Sequence, residues 1–597
     1  YIPSQNLNYL IKRGLSMAHM HQARHEFGCI PEADGYRFHV FAKGIDRITI
    51  TLNDVEYPMD LAPLKPDVYT FFMPNLVAPF HYVYNIFKQG DFYPDLLDPF
   101  CPYTNEEGVK SVYKIEKDFV FHHKKPHHSL EKLIVYELCV RAYTKDASSG
   151  VSHPGTFEGL IEKLDYIKDL GISAIELMPV TLFHPSQLWG YMPRSFMALS
   201  PHLSAIRNPS LSLKKLVDAA HEKGIEVFLD LVFNHTDSME TTLYPFCDDF
   251  YLKNFDATGC GNTLNVQHPV VKSLLLEACH LFVEQYQIDG IRFDLGLALC
   301  RDENGEILAD PPFIHEFENL FKKKIKIFHE PWDTAGYRLD DFPTKNGLVW
   351  DDQIRDTIRR FARSDEGQIP LIHQWLHSPN VVKMVTCHDG FTLYDLVSYE
   401  QKHNLVNGYK NRDGHSGNFS CNCGLDGETD DQRVLSCRFR KAEVLYGLLF
   451  SFSGPILLNA GDEFLSTHYG NNNPFNQDNR ISYIEWNRKI YPSFLDFTKK
   501  LIHLYKTTPL SNSQALIQFH GADPNEALLQ STDHLLAFTK KDASSSIFVA
   551  INTWIEPISI TLPKTDKGAW EIVLHTSSDP LILEQDTLVI AILEQDF

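Results

Sequence analysis

From Leu133 to Asn459 short apolar runs recur, separated where the spacing is clearest by helical segments, and this alternation restricts the fold more than any other feature. The runs are Leu133–Tyr136, Ile172–Met178, Ile225–Val232, Gly290–Leu295, Lys324–Glu330, Leu348–Trp350, Val382–Thr386 and Pro455–Asn459. Helical patterns cover Phe157–Leu170, Leu213–Lys223 and Pro269–Tyr286. Eight runs over roughly 330 residues predict an α/β chain built on a (β/α)8 TIM barrel with long loops, whose chemistry sits at the C-terminal strand ends.

The flanks read differently. Residues 1–125 alternate apolar strands with turns, as in Tyr36–Phe41 and Arg47–Leu52, which predicts an N-terminal β-sandwich. Phe121–His128 is polar, contains Pro126 and suits a solvated boundary, so its four histidines are not expected to hold a metal. The barrel is then expected over 126–509. Strand patterns at Leu535–Phe538, Ser546–Ala550 and Thr587–Ile592 predict a small C-terminal β-sandwich over 510–597.

Acidic residues collect at the predicted strand ends. The third run carries Asp230, with Asn234 and His235 beyond it; the fourth Asp294; the fifth Glu330; the seventh His388 and Asp389. Residues two apart in a strand share a face, so Arg292 lies beside Asp294 and holds it ionised. A lone Arg–Asp pair of this kind also serves as a structural ion pair, but four acids at one barrel mouth repel one another and call for a function. Glu330, flanked by Phe328, Pro331 and Trp332, is expected in apolar company that favours its neutral form. Two carboxyl groups in unlike surroundings are what glycoside hydrolysis requires, with Asp294 as nucleophile and Glu330 as acid/base.

Composition narrows the partner. A net charge of −22 argues against nucleic acid and anionic membranes and fits a neutral substrate. The uncharged run from Val444 to Gly461 is broken by Ser453-Gly454-Pro455, so a buried helix, a turn and a strand are expected there instead of a membrane span. Eleven cysteines without metal-ligand spacing suggest reduced thiols in a cytoplasmic compartment, and the N-terminus has no leader pattern. The close pair Cys421/Cys423 is not expected to bind metal.

Leu229–His235, Gly290–Asp294, Glu330–Asp333 and Val385–Asp389 resemble, in order and spacing, the four signature regions of the α-amylase family, glycoside hydrolase family 13. Gly259–Asn265, His388–Leu393 and Gly470–Asn473 are similar to its isoamylase and glycogen-debranching branch. The resemblance implies α-1,6-glucosidase activity on branched α-glucans (glycogen, limit dextrin, amylopectin), no cofactor, and a carbohydrate-binding-like sandwich in front. It also implies that Asp389 is a third acid, that His235 and His388 bond sugar hydroxyls, that Tyr191 is an aromatic platform, and that Asp230 orients Arg292. The long polar stretch Gly390–Asp431 resembles that branch too, and a loop of this length at a barrel mouth reshapes the cleft. Cys139, where the family usually has a histidine, and His329, where a small residue usually precedes the acid, depart from the pattern. Two other readings stay open: a catalytically silent glycan-binding subunit, and a branching transglycosylase on the same scaffold.

Overall fold

The computed structural model describes residues 26–184, 186–524, 534–565 and 568–594. Its central sheet has eight strands: β1 (Ile134–Leu138), β2 (Ala174–Leu177), β3 (Glu226–Leu231), β4 (Gly290–Phe293), β5 (Lys326–His329), β6 (Leu348–Trp350), β7 (Val381–Val382) and β8 (Ile456–Asn459). The hydrogen-bonded order is β7-β6-β5-β4-β3-β2-β1-β8, and a parallel bridge from Lys383 to Ile456 joins the two ends, so the sheet is a (β/α)8 barrel. Strands β1 to β4 are buried along their whole length, as expected where helices cover a parallel sheet. Gly290 is dictated by packing: a Cβ there would lie 2.4 Å from the Phe228 ring on β3, the residue it pairs with.

The chain divides into two compact units. The first comprises Tyr1–Lys125, Gly155–Glu162 and Leu177–Leu348. It opens with two antiparallel sheets, Gly28–Glu32/Gly35–Phe41/Val68–Pro74/Asp60–Leu61 and Val55–Pro58/Arg47–Leu52/Phe80–Lys88/Asp91–Leu96. Phe38 of one meets Phe80 and Tyr82 of the other edge to face, so aromatic packing forms the core of the sandwich. The first 25 residues of the expected sandwich lie outside the described residues. The segment before the barrel is less solvated than expected, since the His122 and His123 backbone N–H groups both donate to Asp218 and Lys125 Nζ donates to the Ile288 carbonyl.

The second unit comprises Pro126–Pro154, Lys163–Glu176 and Val349–Phe597. Asp431 caps the helix Gln432–Leu449 by accepting from the Arg433 N–H at 2.9 Å, and β8 follows after the turn at Gly454. No helix among the described residues is long and apolar enough to cross a membrane. The C-terminal part is a five-stranded antiparallel sheet ordered Leu516–His520, Leu535–Lys541, Ser545–Asn552, Thr587–Glu594, Glu571–His575. Ala537, Phe548, Ala550, Val589 and Ala591 bury one face of it.

Reduced cysteines were expected throughout, and one pair departs from that: Cys423 is bonded to Cys437, tethering the end of the Gly390–Asp431 loop to the helix behind it. The partners stand 14 residues apart, a spacing without any motif, whereas the conspicuous neighbour Cys421 is free. Among the described residues no cluster of side chains suits a metal ion.

Candidate active site

In the first unit the site grows from the C-terminal ends of β3, β4 and β5. Asp230 and Arg292 are direct neighbours in the β3/β4 ladder. The strand stops at Phe293, one residue short of Asp294, and Leu295 turns into the left-handed region at φ 42°. That turn points the Leu295 N–H at Glu330 Oε2, 2.7 Å away.

Arg292 has no exposed surface and serves all three acids. Its Nη1 donates to Asp230 Oδ2 at 2.7 Å and to Asp294 Oδ1 at 3.2 Å, and its Nη2 donates to Glu330 Oε1. Burial works against the guanidinium charge, but Asp230, Glu330, Tyr191 and Asp294 outweigh it and hold Arg292 well above its usual value. One cation among three buried carboxyl groups leaves excess negative charge at the site.

Glu330 is buried; Phe328 packs on Phe228, and Trp332 stacks on Tyr337. The Glu330 oxygens accept from Arg292 Nη2 and from the Leu295 N–H. The preceding residue, His329, is fully buried; its ring stacks on Phe293 and packs against Phe342, with Nε2 3.8 Å from Glu318 Oε1. Burial lowers the His329 pKa, so the bulky residue before the acid acts as a neutral wedge against β4.

Asn234 was noted in the sequence without a role. Its Nδ2 donates to both the backbone oxygen and Oδ2 of Asp294, each at 2.8 Å, so the Asp294 carboxylate is pinned from both sides. His235 lies beneath: its Nδ1 faces Asn234 Oδ1 at 2.5 Å and its Nε2 faces the Tyr191 carbonyl at 2.8 Å. Both ring nitrogens that were expected to meet sugar hydroxyls therefore face protein oxygens, and burial lowers the His235 pKa. Tyr191 Oη donates to Asp230 Oδ2 at 2.5 Å. Tyr191, Asp230, His235, Arg292, Asp294 and Glu330 thus form one connected network.

In the second unit His388 and Asp389 follow β7. His388 donates its backbone N–H to Glu137 Oε2 at 2.7 Å, and its Nδ1 lies 2.6 Å from Glu137 Oε1, so a buried glutamate on β1 fixes the ring. The other nitrogen, Nε2, stands 3.6 Å from Asp389 Oδ2 on a side chain that is 49% exposed. Glu137 is the residue that sequence reasoning missed; the available signal was an acid inside an otherwise continuous apolar strand. Cys139, two residues on, precedes the helix Val140–Lys145, and burial pushes its thiol up to about 11, so it adds no titrating group where the family has histidine.

The His388–Asp389 corner is buttressed by Asp462, which accepts from the Leu393 N–H at 2.8 Å and from the Thr386 hydroxyl. Burial raises Asp462 from its ordinary 3.8 to about 8, with those two bonds opposing. A carboxyl raised on folding contributes stability that is present below pH 4 and lost as pH climbs to about 8. Relative to Asp462→Asn, the wild type should lose ~1.4 kcal/mol per pH unit across that window. Thermal melts of both proteins from pH 4 to 9 check this, and a pH-independent difference between them contradicts it.

Residues 140–246 match the family model for the α-amylase catalytic domain, and residues 518–590 match the model for the C-terminal domain of isoamylases 1–3. The chain is 35% identical over 502 residues to isoamylase 3, chloroplastic, of Oryza sativa subsp. japonica, covering 74% of this chain and 64% of the rice protein. These similarities are to the α-amylase family, on its isoamylase branch. The chain is also 36% identical over 418 residues to the glycogen operon protein GlgX homolog of Haemophilus influenzae, covering 62% of this chain and 63% of that protein. It therefore spans less than two thirds of the length of these relatives. The α-amylase-family fold extends further: an apo pullulanase from Paenibacillus barengoltzii superposes with a TM-score of 0.77 over 96% of this chain and 94% of that one, at 19% identity.

Proposed function

We propose that the chain is a glycoside hydrolase that removes α-1,6 branches from glycogen, limit dextrin or amylopectin with retention of configuration. The observation that carries this is the Arg292 fork, whose two ends hold Asp294 and Glu330. Two carboxyl groups sharing one guanidinium favour the short separation of about 5–5.5 Å that retaining enzymes use. The names of the rice isoamylase and of the glycogen operon relative point to branched α-glucans.

In this reading Asp294 attacks the anomeric carbon while Glu330 gives its proton to the departing O6 of the branch point. The C–O bond breaks, a glycosyl ester forms on Asp294, and the linear acceptor chain leaves. Glu330, now anionic, takes a proton from the water that attacks the same carbon, which frees Asp294 and restores the acid. The anionic state of Glu330 in the second step is the one that Arg292 and the Leu295 amide stabilise. Asp389, steadied by His388 and Glu137, is the third acid that distorts the sugar, and Tyr191 is the platform beneath it. Asp230 orients Arg292, and His235 orients Asn234 and Tyr191.

Counting new reducing ends on limit dextrin tests the reading. A hydrolase creates one per cut; a branching transglycosylase creates almost none; a silent glycan-binding subunit neither cuts nor transfers. Either of the last two results overturns the proposal.

A further inference from the structure

The loop after Asp389 is long but is not held loosely. Asn404, Asn407, Asn471 and Asn472 are all buried and bond to one another across a gap of more than sixty residues. Asn404 Nδ2 donates to Asn472 Oδ1 at 2.8 Å, and the Asn472 N–H returns a bond to Asn404 Oδ1 at 3.0 Å. Asn472 Nδ2 donates onward to the His415 carbonyl and to Asn418 Oδ1. The Asn472 carbonyl in turn accepts from the N–H of Gly390, the residue after Asp389, at 3.1 Å. Gly390 has φ 134°, a conformation that side chains rarely adopt, so the corner carrying Asp389 is shaped by backbone bonds of this kind.

The Asn407 side chain makes no bond to the Asn472 side chain, although Asp413 Oδ2 accepts from both Asn404 and Asn407. Asn407 Nδ2 donates to Asp413 Oδ2 and to the Asn473 carbonyl, both at 2.8 Å, and Asn407 Oδ1 accepts from Asn471 Nδ2 at 2.8 Å. Asn404 bonds Asn472 directly and Asn407 does not, so substitutions at the two positions perturb Asn472 to different degrees. Gly414 gives a second route to the pair: at φ 70°, a Cβ there would lie 2.3 Å from Asn472 Oδ1, 2.8 Å from Asn404 Nδ2 and 2.9 Å from the Asn473 Cβ. It would wedge the pair without deleting a hydrogen-bonding group.

We propose that Asn404 and Asn472 are positioning residues for Asp389, fixing the Asp389–Gly390 corner through the Asn472 carbonyl so that the long loop sets the geometry of the third acid. This rests on the debranching reading above, in which Asp389 acts on the distorted sugar. A carboxylate displaced by about 1 Å loses transition-state contact on the order of 10²-fold while ground-state binding, spread over the chain, changes little.

The test compares Asn404→Ala, Gly414→Ala and Asn407→Ala with wild type, using limit dextrin as substrate. Asn404→Ala should lower kcat on the order of 10²-fold with KM within about twofold. Gly414→Ala should move kcat in the same direction. Asn407→Ala, which loosens the loop elsewhere, should leave kcat within about threefold. Affinity for a cationic iminosugar, which mimics the charged transition state, should fall in proportion to kcat/KM across the series. Equal losses in Asn404→Ala and Asn407→Ala, or a rise in KM at constant kcat, would overturn the positioning role. Wild-type protein inactive on limit dextrin would overturn the debranching reading and this inference together, whereas active wild type with unaffected Asn404→Ala and Gly414→Ala would overturn the inference alone.

Discussion

Asp294→Asn lowers kcat on branched glucan by on the order of 10³ or more, about 4 kcal/mol of barrier, with the fold intact. The amide keeps the shape of the carboxyl, so the bonds from Arg292 and Asn234 that pin this side chain are perturbed but the barrel core is not. What is lost is the oxygen nucleophile and the charge that stabilises the oxocarbenium-like transition state. Because Arg292 also serves Asp230 and Glu330, its position survives the substitution. Steady-state kinetics with a thermal melt checks this. A variant that keeps more than about a tenth of the wild-type rate removes Asp294 from the role of nucleophile.

Glu330→Gln should remove activity on glycogen by roughly 10²–10⁴-fold, because the leaving O6 then departs without a proton. The loss should shrink sharply on an activated aryl α-glycoside, whose phenolate leaves unaided. It should also abolish the alkaline limb of the pH–rate profile, since that limb reports loss of the proton from the acid. Equal losses on glycogen and on the aryl glycoside would assign the acid elsewhere.

Much of this arrangement could be read from the chain because the relevant physics is local. Strand alternation alone places Arg292 beside Asp294, and the eight apolar runs are close to the observed strands, although β4 ends before Asp294 and β7 is only Val381–Val382. What could not be read depends on distant partners. Glu137 meets His388 across 251 positions, and Asn404 meets Asn472 across 68. The partners of Glu330's sequence neighbours are likewise tertiary: the Phe328 ring packs on Phe228 and the Trp332 ring on Tyr337. Spacing rules see the i, i+2 neighbour and not the residue that tertiary packing supplies.

The central claim is that the bond cut is the α-1,6 branch linkage, and the most direct measurement is a chain-length profile of products from glycogen or its limit dextrin beside the same assay on linear amylose. Release of linear maltooligosaccharides from the branched substrates, with amylose left nearly untouched, is the predicted result. Rapid fragmentation of amylose by the intact protein would contradict it and make the chain an endo-acting α-1,4 hydrolase.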